Sequence, residues 1–383
     1  MHRSTSRILT THCGSLPRPK ALLDLMKARA QGASNEETYN ERVRSAVSEI
    51  VQQQIASGID IPSDGEQGKM GFFSYVGERL NGFERRPDRK ALGFFAELTA
   101  FPEYYADYFG RAMAGGAVTP IVPLVCTGPV TYRGQAAIKR DIANLESAVE
   151  GHNTTDVFVP SIAPSGVGSN EYYKTSEEYF AAVGEAMRHE YQAIINAGFL
   201  LQIDDPFLSE SFSEPGLSPA QWRRNADAWV ESLNHALRGI PPEKIRFHTC
   251  YGINEGPRIH DAPMSDIAPV LLKINANAYS FEAANSRHEH EYHVWENVKL
   301  PEGKILIPGV VTHASNIVEH PELIAERIIR FTNLVGRENV IAGTDCGFSS
   351  QATYKPEVHP TVMWEKFRAM AEGARLASQK LWP

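Results

Sequence analysis

The sequence predicts an α/β protein with a (β/α)8 barrel fold (a TIM barrel) that carries helical and loop insertions. Short runs rich in β-branched residues alternate along the chain with longer amphipathic runs. This alternation is typical of strand–helix units around a parallel sheet that is buried on both faces. No GxGxxG motif follows an early strand, which disfavours the alternative, an open doubly wound sheet.

The candidate strands outnumber the eight positions of a barrel by one. They are residues 7–12, 59–65, 121–128, 156–163, 199–205, 245–252, 278–283, 305–311 and 339–345. We expect 121–128 to be the extra one, a peripheral strand or hairpin. Amphipathic runs lie between most of these segments. The first has N-cap candidates at Ser34/Asn35 and ends at Gly58, so a helix is predicted there.

Residues 84–118 interrupt the alternation of strand-like and amphipathic runs and are rich in aromatic side chains. We expect an insertion or lid there, within a single barrel domain spanning residues 1–383. Barrels of this class often exceed 250 residues as one unit, so the length does not require a second domain.

Composition narrows the functional class. Hydrophobic residues make up 42% and charged residues 22% of the 383 residues, a balance that supports a large core. The formal net charge of −8 argues against nucleic acid as a partner. No apolar run is long enough for a membrane span, and the N-terminal residues lack the apolar segment of a signal peptide. The 4 cysteines are widely spaced, which favours free thiols in a reducing cytoplasm.

Chemically useful side chains fall at several predicted strand ends, where barrel enzymes build their sites. His248 and Cys250 are two residues apart on one strand, so their side chains point to the same face. Zinc favours imidazole nitrogen and thiolate sulfur. Taken alone the pair is a weak signal, because a buried thiol beside a hydrogen-bonded histidine would look the same.

Two later strand ends strengthen the metal hypothesis. Glu282 ends the next strand and Cys346 ends the last, so nitrogen, sulfur, oxygen and sulfur ligands would converge. The alternatives are that Glu282 caps a helix and that Cys346 is a buried thiol. Ligands dispersed over three strands are typical of a catalytic site. Two thiolates and a carboxylate make the metal electron-rich, which suits holding a substrate thiolate for attack on carbon better than hydrolysis.

Seven segments, in this order, resemble those of the C-terminal catalytic barrel of the cobalamin-independent methionine synthase superfamily. They are "TTHCGSLPRP", "DGEQGKMGFFSYVGERLNGF", "LQIDDPFL", "HTCYG", "FEAANS", "PGVVTHAS" and "TDCGF". The resemblance covers nearly the whole chain. It implies a Zn²⁺ cofactor held by His248, Cys250, Glu282 and Cys346.

The resemblance also implies roles in substrate binding. Cys13, Gly14 and Ser15 fall on the homocysteine-binding segment. Glu66 and Asp204 fall where the family holds the ammonium group, and two carboxylates suit that task. The alternatives are that Glu66 caps a helix and that Asp204 shapes a turn before Pro206.

The resemblance places His313 near the family's proton donor, which would act as a general acid toward the leaving group. A solvated loop histidine is the alternative.

The folate side of the site departs from the family pattern. Full-length members carry a second barrel that helps hold a polyglutamyl folate, whereas this chain is expected to form a single barrel. An aromatic residue that stacks on folate is replaced near Asn170, and an Arg-Cys pair is replaced near Gly116-Ala117. Glu210 is retained. The thiol half of the site is therefore expected to be kept and the folate half altered.

We therefore expect a zinc-dependent thiol S-methyltransferase of the homocysteine-to-methionine type, with a donor other than folate polyglutamate. Its partners would be a small thiol and a methyl or alkyl donor. One alternative is an epoxide:thiol alkyltransferase of the coenzyme M type, which Glu66 and Asp204 disfavour although Arg18 could bind an acidic tail. Others are a non-catalytic zinc-binding barrel and a metal-free barrel.

Overall fold

The structure, a computed structural model, describes residues 1–33, 35–89, 95–113, 115–214, 216–252 and 255–383. The helices are α1 (Lys20–Ala30), α2 (Glu36–Ala56), α3 (Phe95–Ala100), α4 (Pro102–Tyr108), α5 (Gln135–Val149), α6 (Ser176–Asn196), α7 (Phe207–Glu210), α8 (Pro219–Ala236), α9 (Met264–Leu271), α10 (Pro321–Val335) and α11 (Pro360–Leu381). The strands are β1 (Leu80–Arg85), β2 (Leu124–Tyr132), β3 (Phe158–Ile162), β4 (Ser169–Asn170), β5 (Leu200–Asp204), β6 (Ile245–His248), β7 (Ala278–Phe281), β8 (Ile305–Val311) and β9 (Gly343–Thr344).

A parallel barrel forms the centre of the fold. A 6-stranded sheet has the order β3-β5-β6-β7-β8-β9. The segments 8–12 and 59–63 complete the ring through isolated parallel bridges, which are Thr10↔Ala342, Thr11↔Ile61 and Ser63↔Phe158. The predicted barrel class is therefore confirmed, although two of its positions are filled by bridged segments and not by regular strands.

A small second sheet lies outside the barrel. It has the order β1-β2-β4, and β2 overlaps the predicted segment 121–128. The expectation of a peripheral strand is confirmed. The sequence did not indicate β1, which contains Asn81 and Gly82, two poor strand formers. Antiparallel pairing with β2 makes it a strand.

Several helices begin where a capping side chain accepts hydrogen bonds from free backbone N–H groups. The Asn35 side chain accepts hydrogen bonds from the backbone N–H groups of Glu37 and Thr38, as predicted for α2. The other cap candidate, Ser34, lies outside the described residues. Ser218 forms a capping box with Gln221 at the start of α8. Within the described part of the chain, no helix is both long and apolar enough to cross a membrane.

The region 84–118 contains α3 and α4, while residues 90–94 and 114 lie outside the described residues. Its aromatic side chains contact loops at the carboxyl end of the barrel. The Tyr104 hydroxyl donates to the carbonyl of Glu255 (2.6 Å), and the Tyr108 hydroxyl donates to Glu357 (2.9 Å). These loops follow β6 and β9, so the segment lies beside the edge that carries the predicted site; a lid function stays a prediction.

A buried charge cluster ties the small sheet to the barrel. Glu190 of α6 accepts hydrogen bonds from the hydroxyls of Tyr75 (2.6 Å), Tyr132 (2.9 Å) and Ser161 (2.8 Å). It also forms an ion pair with Arg79 at 2.7 Å. Burial disfavours the charged form of Glu190, but the positive charges of Arg79 and Lys69 outweigh this effect and lower the pKa of Glu190 to about 2. The cluster should therefore stabilise the fold.

Glu190→Gln is expected to destabilise the protein by about 3 kcal/mol at pH 7, because it leaves Arg79 without its buried partner. The Glu190 pKa is about 2 when folded and near its ordinary 4.5 when unfolded. Its contribution is thus present above about pH 4.5 and is lost as the pH falls toward 2. Urea unfolding should show that the difference in the free energy of unfolding between Glu190→Gln and wild type becomes smaller below pH 4.5. The control is Glu185→Gln, a change at an exposed position of the same helix. The prediction would be contradicted if the loss of unfolding free energy in Glu190→Gln did not depend on pH.

Candidate functional site

Three of the four predicted metal ligands meet at the carboxyl end of the barrel. His248 ends β6, Cys250 follows it, and Cys346 follows β9. All three are buried, and their ligand atoms lie within 4.8 Å of one another. Barrel closure causes this, since it directs parallel strand ends toward a common point.

His248 has the hydrogen bonding of a metal-binding imidazole. Its Nδ1 lies 3.1 Å from the Ser280 hydroxyl, while its Nε2 is buried without a hydrogen-bond partner. Burial and the charge of Arg246 lower the pKa of His248 to about 3, so the ring is neutral at pH 7. A proton on Nδ1, donated to Ser280, leaves the Nε2 lone pair free for a metal.

A metal cation that binds sulfur would favour the thiolate forms of the two cysteines. A hydrogen bond between the thiols, together with burial, raises the pKa of Cys346 well above its usual range. Without a cation this thiol is protonated. A divalent metal reverses the preference, because it binds and stabilises the thiolate. A neutral imidazole with a free nitrogen beside two buried thiols therefore fits a metal centre.

Glu282, the fourth predicted ligand, lies next to this group but outside it. Its ligand atom lies within 4.8 Å of those of His313 and Asp345. Its Oε2 is 2.8 Å from Nη2 of Arg258, and its Oε1 accepts a hydrogen bond from the backbone N–H of Tyr251 (3.0 Å). Its carboxylate is thus held by a cation and by backbone, and its role as a ligand stays a prediction.

His313 is buried at the same edge, so the alternative of a solvated loop histidine is wrong. Its Nδ1 has no hydrogen-bond partner. Burial outweighs the attraction of Asp345 and lowers the pKa of His313 to about 4, so the ring is neutral at pH 7. Burial and the charge of Glu282 raise the pKa of Asp345. The neutral imidazole can donate an N–H to a leaving atom.

The predicted homocysteine-binding segment borders the metal group, the cluster formed by His248, Cys250 and Cys346. The Cys13 thiol is 3.5 Å from Nδ1 of His248. Gly14 has a φ of 120°, and a Cβ added there would lie 2.7 Å from Cγ of Pro160, so glycine is required. The Ser15 carbonyl accepts a hydrogen bond from the N–H of Phe348 (2.9 Å). The segment therefore packs against the loop that carries Cys346.

Glu66 and Asp204 form a pair of buried acids. Glu66 has a φ of 56°, uncommon for a residue with a side chain. Its Oε1 accepts from the Lys69 ammonium (3.1 Å), whereas its Oε2 is buried without a partner. Burial and then the charge of Glu66 raise the pKa of Asp204 well above its usual range. A further cation between them would satisfy both.

A cavity of about 880 Å³ opens on the same side of the barrel. Its wall includes Phe73, Leu124, Phe207 and Trp229, so much of it is apolar and aromatic. Glu210 also lines it. The cavity can hold a sizeable organic molecule, and none of the predicted metal ligands is among the residues that line it.

Asn170 and Gly116, the positions where the loss of folate contacts is predicted, form hydrogen bonds with the local backbone. The Asn170 Oδ1 accepts hydrogen bonds from the N–H groups of Tyr172 (3.1 Å) and Tyr173 (2.9 Å). The Gly116 carbonyl accepts from the N–H of Tyr354 (2.8 Å). Neither position supplies an aromatic ring or a guanidinium to the cavity.

The sequence profile of the family described as "Cobalamin-independent synthase, Catalytic domain" matches residues 8–154 and 162–365. The chain belongs to this family. The resemblance drawn from the motifs is confirmed, and with it the expected enzyme class, an S-methyltransferase of the methionine synthase type.

Relatives match over almost their whole length. A methionine synthase of Saccharolobus islandicus is 24% identical over 377 residues, covering 97% of this chain and 95% of that protein. One of Thermococcus kodakarensis is 24% identical over 379 residues, with 97% and 94% covered. A B12-independent methionine synthase of Shewanella sp. W3-18-1 has the same fold, with a TM-score of 0.74 at 20% identity and 98% and 99% covered.

Sequence reasoning missed three charged residues at this site. Asp345 directly precedes Cys346, so its place at a strand end was a usable signal. Lys69 is three residues after Glu66, a spacing that also allowed a pair to be suspected. Arg258 lies in a loop with no motif, and only the tertiary structure brings it to Glu282.

Cys250→Ser is expected to abolish stoichiometric binding of a divalent metal, because it removes one of two thiolate ligands. Cys126→Ser is the matched control, since Cys126 is a buried thiol of β2 outside the metal group. Metal content after dialysis should be about one equivalent for wild type and for Cys126→Ser, and far below that for Cys250→Ser. Equal metal content in all three proteins would contradict the assignment.

Proposed function

We propose that this protein is a zinc-dependent S-methyltransferase that converts homocysteine to methionine. One observation carries the proposal: His248, Cys250 and Cys346 bring one nitrogen and two sulfur atoms together in a buried site. Family membership supplies the reaction class.

Zinc is the metal that suits this set best. Neutral imidazole and thiolate are its preferred ligands, and a catalytic zinc keeps one position for substrate. His248, Cys250 and Cys346 would hold it, with Glu282 adjacent. When bound, the metal supplies one chemical function: it keeps the substrate sulfur as a thiolate, the form that attacks carbon.

The acids Glu66 and Asp204 orient the amino acid end of the thiol. The unpartnered Oε2 of Glu66 and the raised pKa of Asp204 both favour an added cation. A substrate ammonium meets this need with charge-assisted hydrogen bonds. The segment Cys13–Ser15 borders the metal group and would contact the rest of the substrate.

His313 acts on the leaving group of the donor. It is neutral and buried, with Asp345 beside it. An N–H hydrogen bond to the leaving atom stabilises charge that develops there as the carbon–sulfur bond forms. Burial keeps competing water away from the reacting atoms.

The cavity lined by Phe73, Phe207 and Trp229 would hold the body of the methyl donor. Its apolar wall favours a donor with a flat or apolar body. The side chain of Asn170 is used in a local turn, and Gly116 supplies no side chain. The predicted loss of these contacts supports a donor other than a folate polyglutamate, with Glu210 as the folate-side position that the resemblance retains.

Glu66→Gln and Asp204→Asn are each expected to raise the KM for homocysteine by roughly 10- to 100-fold, the cost of a lost charge-assisted hydrogen bond. The KM for 4-mercaptobutyrate, which lacks the amine, should change little. Asp205→Asn is the matched control, because that carboxylate at the same strand end accepts from Ser165 instead. Equal changes for both thiols would contradict the proposed ammonium site.

A donor screen tests the function as a whole. Zinc-loaded protein and homocysteine would be combined with methyl-folate as monoglutamate or triglutamate, methylcobalamin, sulfonium methyl donors or small epoxides. We expect methionine from at least one donor other than the triglutamyl folate, measured by mass spectrometry. Turnover with the triglutamyl folate alone would contradict our donor assignment, and S-alkylation by epoxides alone would indicate an alkyltransferase instead.

A further inference from the structure

Lys69 is a buried cation beside Glu66 that the proposed mechanism does not use. Its ammonium donates hydrogen bonds to Oε1 of Glu66 (3.1 Å) and to the carbonyl of Pro160 on β3 (2.6 Å). Burial opposes its charge, but the carboxylates of Glu66 and Asp64 raise its pKa, so the lysine is protonated. A fixed positive charge therefore lies next to the acids that would bind the substrate ammonium.

The loop that carries Lys69 and Glu66 is held by its backbone. Arg18 donates from Nη2 to the carbonyls of Glu66 (2.9 Å) and Lys69 (2.7 Å), and from Nη1 to that of Ser349 (3.0 Å). The N–H of Lys69 donates to the Glu66 carbonyl (3.0 Å). Glu66 has a φ of 56°, which costs free energy and persists only with such support. The direction in which the Glu66 side chain leaves the backbone is therefore fixed by the loop.

An aromatic ring holds the Lys69 ammonium as well. Its Nζ lies 4.4 Å from the centroid of the Tyr75 ring, and the guanidinium carbon of Arg79 lies 4.8 Å from the same centroid. Cations are attracted to the face of an aromatic ring. The Tyr75 hydroxyl donates to Glu190 (2.6 Å), so this ring belongs to the buried charge cluster described above. Lys69 thus links Glu66 to a part of the fold that is itself held by buried ion pairs.

The contact with Lys69 leaves one oxygen of Glu66 for another donor. Its Oε2 is buried and has no hydrogen-bond partner among the described residues. An ionised carboxylate accepts hydrogen bonds at both oxygens, and a buried oxygen without a donor is costly. Burial and then the charge of Glu66 raise the pKa of Asp204, and the charge of Lys69 opposes this rise. Lys69 therefore favours the ionised acids that an ammonium group needs.

We propose that Lys69 is a positioning residue: it holds Oε1 of Glu66, so that Oε2 of Glu66 and the carboxylate of Asp204 bind the substrate ammonium. The inference rests on the ammonium site of the proposed function. It adds a residue on which the preference for an amino acid thiol depends. A thiol that lacks the amine gains nothing from this arrangement, so its binding should not depend on Lys69.

The binding of two thiols tests this without a methyl donor. Homocysteine and 4-mercaptobutyrate would be titrated calorimetrically into zinc-loaded wild type, Lys69→Gln, Glu66→Gln and the double variant. Lys69→Gln should raise the Kd for homocysteine about tenfold, in the usual range for residues of one hydrogen-bond network. It should change the Kd for 4-mercaptobutyrate by less than about twofold, the scatter of independent sites. In the Glu66→Gln background, Lys69→Gln should have no further effect on either thiol.

Two further variants separate the charge of Lys69 from its place in the fold. Lys69→Arg should return the Kd for homocysteine to within about threefold of wild type, because a guanidinium keeps the charge-assisted hydrogen bond to Glu66. Lys20→Gln is the matched control, since Lys20 is an exposed lysine that pairs with Asp24, and it should change neither Kd. If urea unfolding shows that Lys69→Gln does not fold, Lys69→Met, which fills the space without a charge, carries the same expectation.

Three results would overturn the proposal. Tighter binding of homocysteine by Lys69→Gln would mean that Lys69 repels the ammonium. Equal weakening for both thiols would mean a general structural role, and unchanged binding of both would mean that Glu66 is oriented without Lys69. If Glu66→Gln fails to separate the two thiols, the proposed ammonium site fails as well. If Glu66→Gln separates them and Lys69→Gln does not, this inference alone fails.

Discussion

The contact between two buried thiols, Cys250 and Cys346, is the constraint on which the rest of this site depends. Two sulfur atoms beside a neutral imidazole in a water-excluded pocket cannot all ionise unless a cation joins them. Burial lowers the pKa of His248 to about 3, and a hydrogen bond with Cys250 together with burial raises the pKa of Cys346 well above its usual range. The burial that penalises their charged forms is also the feature that would make a bound metal strongly held.

The same principle applies to a second set of buried groups, Glu66 and Asp204, whose ionised forms also call for a cation. Glu66 and Asp204 are buried acids, and the Lys69 ammonium contacts one oxygen of Glu66. The site thus presents thiols and an imidazole on one side, which suit a metal, and acids on the other, which suit an ammonium. A small amino acid thiol carries complementary groups at its two ends.

The cavity and part of the inserted segment lie on the proposed donor side of the site. The thiol side rests on strand ends, which barrel geometry holds rigidly. The proposed donor side rests on loops and on the short strand β4, where Gly116 and Asn170 hydrogen-bond with nearby backbone. Loops can change without cost to the barrel core, so a new donor preference would arise there first. Through Glu97, the same inserted segment also supports the loop that carries Arg258.

The sequence by itself determined the alternation of strands and helices and the residues at the strand ends. Local periodicity predicts His248 and Cys250 on one face, because side chains two apart on a strand point the same way; in the structure β6 ends at His248 and Cys250 follows it. Because the candidate strands outnumber the eight barrel positions by one, the sequence also indicated that one strand, 121–128, lies outside the barrel. Only the tertiary structure decided that two barrel positions are bridged segments, that Glu282 faces Arg258, and that His313 is buried. The physical reason is distance along the chain: Cys13 and His248 become neighbours only when the ring closes, and no local pattern encodes that closure.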